Sequence, residues 1–213
     1  VRDAFDYFDR KYQIVDRIDD LVTLPIFLEP FDGPFLRRAI DFMIDVQFRQ
    51  GAREDLALTF IESTSGKALH ELAALPGVEH VEGFRDVRAV LRFQHYRYRS
   101  FIYGIQPEGQ LHRSLDRQLR PVAVPPGGIV LTDHLAKNIL HVKPGDLLTV
   151  EILEGRRPVL QVPVLGITQQ FLGVSAYMQQ DSLNALMREG PVVSGAYLAL
   201  EPGTEKSVYE KLH

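Results

Sequence analysis

Between Asp86 and Ile105 the chain keeps a two-residue period. Val87, Ala89, Leu91 and Phe93 alternate with residues that include Arg88 and Arg92, and Phe101, Tyr103 and Ile105 repeat the alternation. An apolar residue at every second position gives an extended strand one face for a core and one for solvent or a partner. The stretch therefore predicts a long β-hairpin with its tip near Gln94–Tyr98. The 213 residues are 45% hydrophobic and 24% charged, the balance of an ordinary globular protein with room for one large or two small domains.

Other segments carry a helical period. Residues 3–22 place Phe5, Phe8, Tyr12, Val15, Ile18 and Val22 at three- and four-residue intervals, which predicts an amphipathic helix. Asp32-Gly33-Pro34 starts a second helix, from about Phe35 to Arg49. Ile40, Phe42, Met43, Val46 and Phe48 exceed one narrow stripe, so one side of that helix is expected to meet something absent from this sequence.

Leu56–Ile61 reads as a mostly buried strand. Thr64 or Ser65 is expected to cap a helix carrying Ala68, Leu69, Leu72 and Ala73, which Pro76-Gly77 ends before a strand resumes over Val78–Val81. After a linker-like stretch from Pro121 to Pro126, Ile129–Leu131 leads to a short helix, capped by Thr132 or Asp133, with Leu135, Ala136, Ile139 and Leu140 inward. Lys143-Pro144-Gly145-Asp146 is a turn signal. Leu148–Ile152 and Val159–Val162 flank Glu154–Pro158 as a second hairpin. Asp181 is expected to cap a helix that Gly190 stops, and a strand over Val192–Leu200 precedes a terminal helix from about Thr204.

Charge and composition narrow the function. Twenty-four Lys and Arg against 28 Asp and Glu leave a net charge of -4, so no overall positive field attracts phosphate backbones, and nucleic acid is not an expected partner. The absence of cysteine excludes disulfides, thiolate nucleophiles and Cys-ligated metals, and it leans toward an oxidising location outside the cytoplasm. No apolar run approaches the roughly 20 residues that cross a bilayer. Residues 1–20 hold six acids, unlike the basic start of a signal peptide. The chain begins with Val1, which suggests a piece of a longer protein.

Several near-motifs fail on inspection. Ser65-Gly66-Lys67-Ala68 lacks both the first glycine and the final hydroxyl of a phosphate-binding loop. His70-Glu71 would open a zinc-protease motif only with histidine at the position of Ala74. Gly173-Val174-Ser175-Ala176-Tyr177 lacks the second glycine of a nucleophile elbow, so Ser175 reads as structural. His134 and His141 are two helical turns apart, too far to share an ion along one helix. Glu151 and Glu154, like Asp41 and Asp45, read as solvated faces rather than paired acid and base. No catalytic, cofactor or metal residues are assigned.

One cluster stands out. Arg92, Tyr96, Arg97, Tyr98 and Arg99 gather at the predicted hairpin end, and Arg with Tyr is a pairing favoured in protein-interface hot spots. They are the candidate partner-binding residues. The alternative is an exposed hairpin in which Arg stacks on Tyr across strands, gaining about 0.2–1 kcal/mol per pair.

An ordered series of segments resembles the extracytoplasmic domain of FtsX/MacB-type ABC transporter permeases, a family that includes the lipoprotein-releasing LolC/LolE proteins. The series is Asp55–Phe60; Ala68–Leu72 leading to Leu75-Pro76-Gly77-Val78 and Val81-Glu82; Gly104–Pro107; Gly128–Ala136; Lys143–Val150; and Val162–Ile167. Its order and spacing cover about residues 41–213, while residues 1–40 form a helical segment with no counterpart. The resemblance implies an α+β fold with a porter-like βαβ half, about 54–106 with 172–213, and a smaller β-rich half, about 107–171. It implies a non-enzymatic domain on the outer side of the bacterial inner membrane, moved by ATP hydrolysis in a separate cytoplasmic ATP-binding subunit. It also implies a second permease copy or paralogue and a periplasmic adaptor or cargo protein as partners. A free-standing binding module for a peptide or small hydrophobic ligand is the alternative.

Overall fold

The longest strand, β2 (Val78–Phe93), belongs to two layers at once, and the rest of the fold follows from that. The computed structural model describes residues 51–116, 119–170 and 174–212; the helices expected over 3–22 and 35–49 lie outside them. At about 3.3 Å per residue, 16 residues span about 50 Å, longer than one small core can cover. The first half of β2 pairs antiparallel with β8 (Val192–Leu200), through Val78 to Phe84. From Arg85 onward it pairs with β3 (Tyr96–Ile105), and over Ala89–Arg92 also with β5 (Leu147–Ile152).

The second half of β2 helps to close a ring. β3 runs parallel to β7 (Ala176–Gln179), β7 antiparallel to β4 (Ile129–Thr132), and β4 parallel to β6 (Val159–Thr168). β6 pairs antiparallel with β5, and β5 returns to β2. The result is a six-stranded mixed barrel with no open edge, the arrangement that removes unpaired strand rims. Alternate residues fill it: Val87, Ala89 and Leu91 from β2, Ile102 from β3, Leu131 from β4, Val150 from β5 and Met178 from β7. The π-helical segment Leu135–Leu140 adds Leu135, Ala136 and Leu140 to this core, and the helix Gln180–Met187 adds Leu183 and Met187.

The first half of β2 forms a smaller layer. β1 (Leu56–Ser65) and β2 both run antiparallel to β8, so they are parallel to each other with β8 between them. Helix α1 (Ala68–Ala73) connects them, the helix Gln180–Met187 is α2, and α3 (Glu205–Leu212) follows β8. Leu72, Ala196, Leu198, Leu200 and Val208 form the buried part of this second core. Gly195 is the tightest point in it: an added Cβ would run into the Leu58 carbonyl oxygen and the Phe84 ring.

The fold is α+β, as expected, and the sheet dominates it; the capping expectations need correction. Thr64 and Ser65 stay in β1, paired with Val193 and Val192, and Lys67 precedes α1 without a side-chain cap. Thr132 ends β4, where its hydroxyl accepts the Ser175 amide at 3.1 Å, and His134 precedes a π-helix rather than an α-helix. Asp181 lies inside the first turn of α2, behind Gln179. That helix stops at Arg188, left-handed at φ 55°, and not at Gly190. For Thr64, Ser65 and Thr132 strand pairing claims the residue that a helix cap would have used.

Candidate functional site

Strand alternation sorts the Arg/Tyr cluster onto two sides of the barrel wall. The β2–β3 turn is tight, with Gln94 at φ 53° and the pairs Phe93–Tyr96, Arg92–Arg97, Leu91–Tyr98 and Val90–Arg99 on either side. Leu91 is fully buried, so its partner Tyr98 shares the interior face, as does Tyr96 two residues earlier; both rings pack against the barrel core. Tyr96 also lies 3.9 Å from the His95 ring and 4.4 Å from the His141 ring, centroid to centroid. Arg92, Arg97 and Arg99 fall on the opposite phase and are exposed. The structure therefore separates the five candidates into three outward arginines and two tyrosines that support the wall behind them.

The outward face is concave. A groove of about 500 Å³ is lined by Val90, Arg92, Arg97, Arg99, Glu151 and Leu153, together with Tyr98. Glu151 reaches it because β5 lies on the other side of β2, with Glu151 paired to Val90. Its carboxylate holds Arg92 at 3.0 Å. Three guanidiniums thus face one carboxylate, and Arg88, two residues before Val90, sits 5.8 Å from the Phe101 ring centroid on the same side. Such a surface suits anions that accept planar, forked hydrogen bonds.

The other sequence candidates do not converge. Ser175 exchanges backbone and hydroxyl bonds with Thr132, in keeping with a structural role. His134 and His141 flank the π-helix at its two ends. Glu151 and Glu154 are not simply solvated faces: Glu151 pairs with Arg92, and Glu154 pairs with Arg85 at 2.8 Å. Among the described residues no group of three or more His, Asp and Glu is placed to hold a metal.

Arg85 was not singled out by the sequence motifs, yet it is 1% exposed at the point where β2 passes from one layer to the other. Its guanidinium donates to Ser63 Oγ at 2.6 Å and Ser194 Oγ at 2.9 Å, on β1 and β8. It also pairs with Glu154 at 2.8 Å, in the β5–β6 turn, and with Glu189 at 3.0 Å, beyond α2. One side chain thereby joins the three-stranded layer to the barrel. The signal was its phase: Gly83, Arg85, Val87, Ala89 and Leu91 share the buried parity.

No protein-family model matches the sequence, and no curated protein matches it. The chain is similar to the solved extracellular domain of the noncanonic ABC-type transporter YknZ from Gram-positive bacteria, at 15% identity and a TM-score of 0.46, over 68% of this chain and 78% of that one. It is also similar to the periplasmic region of MacB from Actinobacillus actinomycetemcomitans, at 14% identity and a TM-score of 0.42, over 71% of this chain and 72% of that one. Both scores lie below the level that establishes a shared fold.

Proposed function

We propose that the chain is the outer-side domain of an ABC transporter permease, doing its work by binding and moving partners rather than by altering bonds. The ordered segments over residues 41–213 support this, and so does the build of the molecule. No helix among the described residues is long and apolar enough to cross a membrane, so spans of the kind the proposal requires would lie elsewhere in the intact protein. The division into a porter-like half, 54–106 with 172–213, and a β-rich half, 107–171, belongs to this proposal. On that division β2 and β3 leave the first half and complete a barrel with β4, β5 and β6 of the second. A push on either would reach the other through continuous strands and the Arg85 contacts rather than through a loose linker.

The observation that carries the reading is the groove lined by Arg92, Arg97 and Arg99 on the barrel wall, a concave cationic surface suited to docking a partner. In this account a cytoplasmic ATP-binding subunit drives the membrane part, a second permease copy or paralogue completes it, and the groove engages an adaptor or a lipoprotein, peptide or other cargo. The test uses the intact gene product with its ATP-binding subunit. Replacing Arg92, Arg97 and Arg99 together by Gln is expected to abolish ATP-driven release of the partner while leaving the thermal transition of the domain in place. Unchanged release in the triple variant would overturn the docking role. Tyr96 and Tyr98 are left intact because they support the core.

A further inference from the structure

We infer that the groove receives an extended acidic segment of the partner, with carboxylates at alternate positions seated on Arg97 and Arg99; this rests on the docking role proposed above. Arg92 and Arg97 are directly opposed across β2 and β3. Like charges in that position destabilise a sheet unless something neutralises them. Glu151 neutralises Arg92 only. The ion pairs among the described residues engage neither Arg97 nor Arg99, which leaves two outward guanidiniums two residues apart on one strand.

Two residues of strand advance about 6.6 Å, which is also the spacing of same-face side chains in any extended ligand. An Asp or Glu at every second position therefore meets Arg97 and Arg99 in register, each through a forked pair. Val90 and Leu153 give the groove an apolar wall that strengthens those pairs by keeping water from one side. A phosphate group suits the site less well. It concentrates its charge at one point in a groove that also holds Glu151, whereas carboxylates at alternate positions divide theirs between Arg97 and Arg99.

The probe is a fluorescein-labelled peptide of alternating Glu and Thr, titrated into the full 213-residue chain at low ionic strength and followed by anisotropy. The wild type is expected to bind it at least about tenfold more tightly than a peptide of the same composition with its glutamates in one block, a difference of about 1.4 kcal/mol. Arg97→Gln with Arg99→Gln is expected to remove that preference. The control pair Lys143→Gln with Arg156→Gln, exposed cations outside the groove, should keep it, and Glu151→Gln should tighten binding by freeing Arg92.

Equal binding of the two peptides overturns the inference, as does an equal loss in the control pair. So does binding to phosphatidylcholine–phosphatidylglycerol vesicles that depends on Arg97 and Arg99 without peptide binding. If neither peptide binds but the arginine variants still block partner release in the intact transporter, docking stands and the acidic segment is wrong. If release also persists, both fall.

Discussion

The barrel and the three-stranded layer share one strand but are stabilised differently. In the barrel every strand has two neighbours, and Val87, Ala89, Leu91, Ile102, Leu131 and Leu148 are fully excluded from solvent. Among the described residues the β1–β8–β2 layer has β1 as an edge, and its core has five buried residues supported by partly buried ones on α1 and β1. A closed ring protects its hydrogen bonds and resists local opening, while an edge sheet with short helices opens at lower cost. The molecule thus joins a stiff body to a softer one, and Arg85 is the polar bolt between them.

Substitutions can break that contrast. The largest effect is expected from Leu131→Ala in the barrel, about 3–5 kcal/mol, read as a loss of the whole cooperative transition in denaturant. Arg85→Met comes next. Removing one member of a buried pair costs about 3–5 kcal/mol when its partners are also buried, but Glu154 and Glu189 are 31% and 28% exposed, so about 2–3 kcal/mol is expected. Its distinctive result is that amide exchange in β1, β8 and α1 accelerates more than exchange in β4–β6; uniform acceleration would show that Arg85 does not couple the layers. Val208→Ala on α3 should cost about 1–2 kcal/mol and loosen only the three-stranded layer. Arg97→Gln with Arg99→Gln, on the exposed wall, should stay within about 0.5 kcal/mol of wild type in thermal unfolding.

How far the sequence reached can be seen along β2. Its alternation announces the hairpin, and pairing Val87–Phe93 against Tyr96–Ile102 follows from a tight turn. That same register places Tyr98 opposite Leu91 and therefore inside, so the split between tyrosines and arginines is legible in the strand phase. Barrel closure was not legible. β7 is four residues long and Ala176, Tyr177 and Met178 are all buried, leaving no alternation to mark a strand. Its parallel pairing with β3 joins residues more than seventy positions apart, which no local preference encodes. Glu151 likewise meets Arg92 only because β5 closes against β2.

The central claim, that this domain works on the outer side of a membrane, has a direct test because the chain contains no cysteine. Arg156→Cys in the exposed β5–β6 turn places one thiol in this domain, and any cysteine elsewhere in the intact gene product is first replaced by serine. Treated with a membrane-impermeant maleimide, spheroplasts should label this site as fully as lysed cells do. Labelling that appears only after lysis would place the domain in the cytoplasm and contradict the account.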